Sequence, residues 1–552
     1  MIVAIMSKKA KKHPRVHLEI QKHRSNYYGL IRSSYREEGK VKHTNHGRIT
    51  GLKLNELKLV QLAIRGLVIP KDDPDALITR AAKEYGASYA LLRVAERIGL
   101  HKAIYSRPSE QWVKDCMAMI VGRVIYQGSK LSLANQWKNS SLWELCGVEG
   151  NVDVKKHCYK AMDELLKRQK TIQKKLSEEH MKNGQMVLYD ITSSYFEGEY
   201  DDSELIRFGY NRDQKRGTKQ VVIGLICNEE GCPVATEVFA GNTTDGETVS
   251  EKVGQIQKEY GVKEVIFVGD RGMLTQANVE RLKDTDGLSM ISALTHPQIM
   301  KLCKEKVIQM GLFDEKKIVE VVDTNDPSRR YCLCKNEDTA SRETHTRNNL
   351  LGNTIDEMLH IEESSRKGSD EKIGARVGRI LQKYKMGKFI EWVVSGGELH
   401  WSIDIDKIEM EQMMDGCYVI WTDVSPDRLG TDDVVATYKS LAQVEIAFRN
   451  IKTVQLEMRP MYHKTDDRIR AHVFICMLSY YLQWHVNKML QPLFQSDGIG
   501  KNREWTFQNV IQRLSLIHKE KAMLNKIEFD QLSTPEEDQA YILELLGITM
   551  AL

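Results

Sequence analysis

The chain has 552 residues, of which 41% are apolar and 28% charged, and its 80 Lys plus Arg against 76 Asp plus Glu leave a net charge of +4. That balance excludes a disordered polyelectrolyte, and the length allows several domains with a sizeable core. No apolar run is long enough for a bilayer span, residues 473–482 being too short and interrupted by polar positions, so no membrane association is expected. The opening MIVAIMSKKAKK places its apolar piece ahead of its charges and lacks a cleavage-site pattern, which argues against a signal peptide. Ten cysteines are scattered along the chain. Cys332 and Cys334 lie close, but C-x-C without a second pair is weak ground for zinc, and a reducing cytoplasm is the expected compartment.

Taken in chain order, residues 1–60 hold fourteen Lys or Arg and four acids. Such a basic segment suits a polyanion, since each neutralised phosphate releases counterions; it equally suits a solubilising tail. Alternating apolar and basic positions from Arg32 to Ile49 predict a hairpin or ribbon with a cationic face. Residues 1–75 are therefore read as a basic N-terminal arm and a candidate DNA-binding element. Residues 76–183 read as a helical module, with helical apolar spacing over 89–95, 112–126 and 159–176.

The pattern changes at Met186. Residues 186–193 (MVLYDITS) form a buried strand whose apolar run stops at an acid, and 221–227 with 233–240 form a hairpin around the turn NEEG. Residues 245–260 have helical spacing, 265–268 (VIFV) form a strand running into GDRGM, and a helix (276–283) and strand (288–294) follow. That order is the order of a ribonuclease H-like core, although order alone leaves several α/β folds open. Residues 296–430 read as a strand-rich insertion, with strand candidates at 318–322, 331–334, 389–394, 400–405 and 417–422 beside a charged helical stretch at 341–384. The core (first part 184–295) resumes over 431–490, and 491–552 reads as a C-terminal helical region. The expected fold class is α/β: a ribonuclease H-like core with a strand-rich insertion, a basic arm and helical module before it, and helices after it.

Three acids stand out. Asp190 and Asp270 lie 80 residues apart, each where a strand's apolar run stops. Neighbouring strands can bring such acids together, and clustered carboxylates repel unless a cation compensates. Hard oxygen donors with open positions suit Mg²⁺ or Mn²⁺. The third acid is Glu445, in residues 437–453 (TYKSLAQVEIAFRNIKT). At about 100° per residue, Tyr438, Glu445, Arg449 and Lys452 fall within roughly 60° of one another, beside an apolar stripe of Leu441, Val444, Phe448 and Ile451. Glu445 would complete a two-metal site for in-line phosphoryl displacement. The plainer readings are strand-end turn formers for the two Asp residues and a solvated rim on an amphipathic helix.

These residues resemble the DDE transposases of bacterial insertion sequences, in the insertion sequence 4 superfamily with its Y-x2-R-x3-E-x6-K signature. Tyr438, Glu445 and Lys452 match that signature without a shift, and Leu441 stands where it has arginine. LYDITSSYFEG around Asp190 resembles the first-Asp motif; GYNRD (209–213), GNTTDGET (241–248) and GDRGM (269–273) resemble the second block, and RPMYH and RIRAH follow the helix. The resemblance implies metal-dependent cutting of double-stranded DNA at an element's terminal inverted repeats and transfer of the 3′ ends into target DNA, in a nucleoid-associated bacterial cytoplasmic protein. It implies that Asp190, Asp270 and Glu445 hold two Mg²⁺ or Mn²⁺ ions, while Tyr438 and Lys452 position DNA phosphates. Two ends must be brought together, so a homodimer on DNA is expected. Arg449, on the same helical edge, is the candidate for the missing cation; Arg271 reaches a phosphate or makes a structural salt bridge. His472 and the tryptophans Trp392, Trp401 and Trp421 are read first as core residues, with base stacking as the alternative role for the tryptophans. The rival readings are a metal-dependent nuclease without strand transfer and a DNA-binding derivative that has lost catalysis.

Overall fold

The computed structural model describes residues 16–550 apart from 24–25, 38–39, 66–76, 182–184, 199, 201, 211–216, 245–263, 272, 275, 284, 315–317, 325, 365–368, 460, 497–503 and 525–526. The expected helix at 245–260 and parts of the GYNRD, GNTTDGET and GDRGM segments therefore lie outside the described residues. The chain divides into two compact units, residues 1–165 with 482–552 and residues 166–481.

In the first unit, β1 (Val16–His23), β2 (Asn26–Glu37) and β3 (Lys40–Ile49) form an antiparallel sheet in that order. Helix α1 (Leu54–Ile64) packs on it through Leu57, against Leu18, and Gln61 Nε2 donates to the Leu18 carbonyl at 2.6 Å. The basic segment is thus more than an arm or a ribbon: a third strand and a helix give it a small core. Beyond it come β4 (Leu77–Glu84), α2 (Gly86–Arg97) and α3 (Gln111–Tyr126), the last buried along most of its length. The buried Glu84 carboxylate accepts from Ser88 Oγ, Tyr126 Oη and Ser140 Oγ at 2.5–3.0 Å, so its burial is compensated.

The second unit carries α4 (Gln169–His180) and a nine-stranded mixed sheet. Its strands are β5 (Met186–Tyr195), β6 (Arg207–Phe208), β7 (Lys219–Asn228), β8 (Pro233–Ala240), β9 (Val265–Val268), β10 (Leu288–Ala293), β11 (Val319–Val322), β12 (Arg330–Lys335) and β15 (Cys417–Thr422). The order is β11-β12-β15-β10-β9-β5-β7-β6, with β8 also paired to β7. β9 runs parallel to both β5 and β10, whereas the other pairings are antiparallel. β7 and β9 are almost wholly buried, which is why they read as continuous apolar runs and not as alternating ones.

The expected strand-rich insertion is corrected here. Its candidates at 318–322, 331–334 and 417–422 are β11, β12 and β15, which extend the main sheet instead of building a separate one. What remains between them is mainly helical: α5 (Glu337–Ser364) and α6 (Asp370–Tyr384) with the hairpin β13 (Ile390–Ser395) and β14 (Glu398–Ile403). They share a small core of Met358, Ile361, Ile373, Val377, Ile390 and Leu399. After β15 come α7 (Thr431–Ser440), α8 (Ala442–Arg449) and α9 (Asp466–Met489). The C-terminal region also departs from expectation. It contains β16 (His518–Leu524) and β17 (Ile527–Leu532) between α10 (Phe507–Ser515) and α11 (Glu537–Leu545). β16 pairs with β4, His518 lying opposite Glu84, a partner so distant in sequence that no local pattern announces it. No described helix is long and apolar enough to cross a membrane, and all ten cysteines are free thiols.

Two stability predictions follow from this packing. A Cβ added at Gly224 of β7 would stand 2.7 Å from Tyr189 Oη and 3.0 Å from its Cε2. Gly224→Ala should cost about 1–3 kcal/mol in urea unfolding, with partial recovery in Gly224→Ala/Tyr189→Phe; an unchanged midpoint would contradict this packing. In the inserted region, Arg347 donates through Nη1 and Nη2 to the two Asp415 carboxylate oxygens at 2.6 Å each, and Thr344 Oγ1 adds a third bond at 2.6 Å. Burial works to raise the Asp415 carboxyl, but the Arg347 fork and the Thr344 hydroxyl outweigh it and hold it below the ordinary value. This pair therefore stabilises the fold above the ordinary carboxylate pKa of about 4 and loses its contribution as pH falls further. Asp415→Asn should lower stability by about 3–5 kcal/mol at pH 7. The gap from wild type should narrow on acidification, and a pH-independent gap would contradict the assignment.

Candidate functional site

The site starts from a strand register. β5 and β9 pair in parallel as Met186↔Ile266, Val187↔Phe267 and Leu188↔Val268. Two places further along each chain are Asp190, still within β5, and Asp270, two residues past the end of β9. β9 ends at Val268, whereas β5 continues to Tyr195 with only β7 beside it, Asp190 lying opposite Leu225. Asp190 is thus mid-strand and not terminal, as its apolar run suggested. Asp190 is half-buried and Asp270 exposed. One carboxylate oxygen of each accepts from the next backbone N–H, Ile191 and Arg271 respectively, at 2.7 Å.

The helical stretch containing Glu445 packs on β5 and reaches Asp270 beyond the end of β9. Leu441 joins α7 to α8 with helical angles (φ −55°, ψ −26°), so helical phase carries from Tyr438 to Glu445. A wider helical turn at Asn450–Val454 then carries Lys452. At one end, Tyr438 Oη donates to Asp270 Oδ1 across a long 3.5 Å. At the other, Lys452, only 9% exposed, donates from Nζ to Thr192 Oγ1 at 2.9 Å. Thr192 is two residues beyond Asp190, on the same face of β5. Glu445 lies seven residues from each of these anchors. It is exposed, and its carboxylate has no hydrogen bond or ion pair among the described residues. Burial first, and then the Asp270 charge, push the Tyr438 phenol up to about 12, against the opposing effect of the adjacent Arg271.

Other sequence-selected residues fall where their surroundings decide between roles. Leu441 is buried and belongs to the apolar stripe with Val444, Phe448 and Ile451. An arginine there would place an ion in the core, at considerable cost. Arg449 is exposed on the last turn of α8. His472 is buried with Nε2 3.2 Å from the Met458 carbonyl, a core placement. Trp421 is buried, Trp401 Nε1 donates to Glu362 at 2.9 Å, and Trp392 is 40% exposed. Cys332 and Cys334 are buried on β12, and burial raises both thiols.

Sequence reasoning missed Thr192 and Arg459. Period-two alternation from Asp190 marks Thr192, and RPMYH contains Arg459, but neither signal assigns a contact. Arg459 Nη2 donates to the Ser193 carbonyl at 3.2 Å, and its guanidinium lies 4.9 Å from the Tyr195 ring centroid. Arg459 and Tyr195 line a cavity of about 560 Å³ together with Lys452, Phe196, Glu457 and Tyr462. Glu457 has φ +40°, a left-handed conformation that a side chain makes costly.

The family model for the transposase DDE domain matches residues 185–482, more than half of the 552-residue chain. The chain belongs to the DDE transposase family. In this transposase the match contains Asp190, Asp270 and Glu445, begins one residue before β5 and ends within α9. None of the curated proteins compared with the transposase matches it. Family membership makes DNA the substrate.

The phenol provides a direct check on this geometry. The absorbance difference between the transposase and its Tyr438→Phe variant should show phenolate only near pH 12. Asp270→Asn should move that midpoint down toward the ordinary value of about 10 without reaching it, because burial persists. An unmoved midpoint would remove Asp270 from contact with Tyr438.

Proposed function

We propose that this transposase cuts the terminal inverted repeats of an insertion sequence and transfers the freed 3′ ends into target DNA on a ribonuclease H-like core. The observation that supports this most is the parallel pairing of β5 with β9, two residues ahead of Asp190 and Asp270, together with the contacts of Tyr438 to Asp270 and of Lys452 to Thr192 on either side of Glu445. The strand order β8-β7-β5-β9-β10, with β5, β9 and β10 parallel, agrees with such a core. Membership of the insertion sequence 4 superfamily rests on Tyr438, Glu445 and Lys452 at signature spacing.

Asp190, Asp270 and Glu445 offer hard oxygen donors whose ligand atoms do not all lie within 4.8 Å of one another in this structure, and the exposed Glu445 carboxylate, with no partner among the described residues, suits a cation. They would hold two Mg²⁺ or Mn²⁺ ions. When bound, such ions neutralise charge on the attacking and leaving oxygens of an in-line displacement. The chain's own groups do the positioning. Tyr438 keeps its proton near neutral pH and can donate to a phosphate oxygen without acting as a base. Thr192 fixes the Lys452 ammonium beside the acids, where it attracts the DNA backbone. Arg271 and Arg449 offer further cations, Arg449 taking the role vacated at Leu441. Two ends held at once call for a homodimer assembled on DNA.

The test is incubation of purified transposase with pre-cut ends of its element, a supercoiled plasmid and Mg²⁺. Joined products are expected, and Asp190→Asn, Asp270→Asn or Glu445→Gln should reduce them by at least on the order of a hundredfold. Cutting without joining would contradict the strand-transfer step, and activity indifferent to these changes would contradict the site. Arg449→Ala should lose cleavage while Lys439→Ala retains it; the reverse would exclude Arg449 from the role at Leu441.

A further inference from the structure

The sheet β1-β2-β3 has two unlike faces. α1 packs on the face carrying Leu18 and Gly29; a Cβ at Gly29 would meet Leu18 at 2.8 Å and Leu57 at 3.1 Å. Alternation places Gln21, Tyr28, Arg32, Asn45 and Arg48 on the opposite face. These side chains are already organised. The Arg48 guanidinium lies 3.9 Å from the Tyr28 ring centroid, and Tyr28 Oη donates to Gln21 Oε1 at 2.6 Å. Arg32 Nε donates to Asn45 Oδ1 at 2.6 Å, and its Nη1 donates to Glu19. Glu19 is this face's sole carboxylate among the described residues, and hydrogen bonds from Gln21 and then Arg32 hold it below the ordinary value. Arg36 and Arg48 leave the face net cationic.

We infer that this sheet face docks in the major groove of the element's terminal DNA and reads its sequence, an inference that rests on the transposase reading above. Charge complementarity selects a polyanion, and the composition narrows the choice further. A face that only gripped phosphates would need cations alone, but this one alternates them with Gln21 and Asn45. Arginine pairs with the edge of guanine and Asn or Gln with that of adenine; Leu30, half-buried on the same face, is an apolar contact suited to a thymine methyl. The major groove admits β-ribbons, and the register shift between Ile31 and Arg32 adds the twist that following a groove requires. Stacking on Tyr28 limits the freedom of Arg48 before DNA arrives, so less entropy is lost on binding.

The full chain, without divalent metal, is presented with a pool of duplexes carrying a randomised centre, and the retained sequences and their affinities are determined. The wild type should select a common sequence. Arg32→Ala/Arg48→Ala should lose at least about tenfold in affinity for it, while Lys53→Ala/Lys58→Ala, of equal charge loss on and beside α1, should stay within about threefold. Arg48→Lys should keep most of the affinity and lose preference at one or more base pairs. If the sheet variant selects the same sequence with wild-type affinity, or the α1 variant loses as much, the inference is overturned. Metal-dependent plasmid nicking by wild type and Glu445→Gln, run in parallel, separates the two readings: nicking indifferent to Glu445 defeats the proposed chemistry and leaves the docking result to stand on its own data.

Discussion

Parallel pairing of β5 with β9 is the constraint on which the rest of the site depends. Had the two strands run antiparallel, acids placed this way in sequence would have been carried toward opposite edges of the sheet. With Leu188 opposite Val268, Asp190 and Asp270 each follow two residues after the last pair of the register. β9 stops after four residues whereas β5 runs for ten, so Asp190 lies within a strand and Asp270 just beyond one. The sheet is buried on both faces in this region, and shifting the register by one residue would turn every side chain of β5 to the other face. The packing that stabilises the core therefore also sets the position of the acids.

The third acid depends on that arrangement indirectly. A helix lying on a sheet can slide and rotate unless something holds it. Here the apolar stripe of Leu441, Val444, Phe448 and Ile451 sets the rotation, while Lys452 on Thr192 and Tyr438 on Asp270 mark the two ends. Burial of the Lys452 stem and hydrogen bonding of its ammonium leave a charge with restricted freedom beside β5. Leu441 serves the apolar stripe, and the polar edge of this helical stretch is carried by its neighbours.

Much of this was legible in the sequence because it is local. Strands β7 and β9 are continuous apolar runs, β5 opens as one, and the helix of Glu445 declares its faces by periodicity. What was misjudged is non-local. β11, β12 and β15 look the same in sequence whether they form a separate subdomain or extend the main sheet; only their antiparallel partners distinguish the two. β4 and β16 pair across more than four hundred residues, so neither could announce the other. Asp190 appeared to end a strand because its apolar run ends there, yet β5 continues through Thr192, Ser193 and Ser194, whose small side chains are buried with their hydroxyls. Thr192 was overlooked for the same reason, since its importance comes from Lys452, 260 residues away.

The central claim is that three carboxylates from two strands and a helix form one cation site. Titration of the DNA-free transposase with Mn²⁺, following the free ion by electron paramagnetic resonance, tests it without requiring activity. Binding by the wild type that is weakened at least about tenfold by each of Asp190→Asn, Asp270→Asn and Glu445→Gln is the predicted result. Binding left unchanged by Glu445→Gln while either aspartate variant weakens it would contradict the convergence of helix and strands on which the account is built.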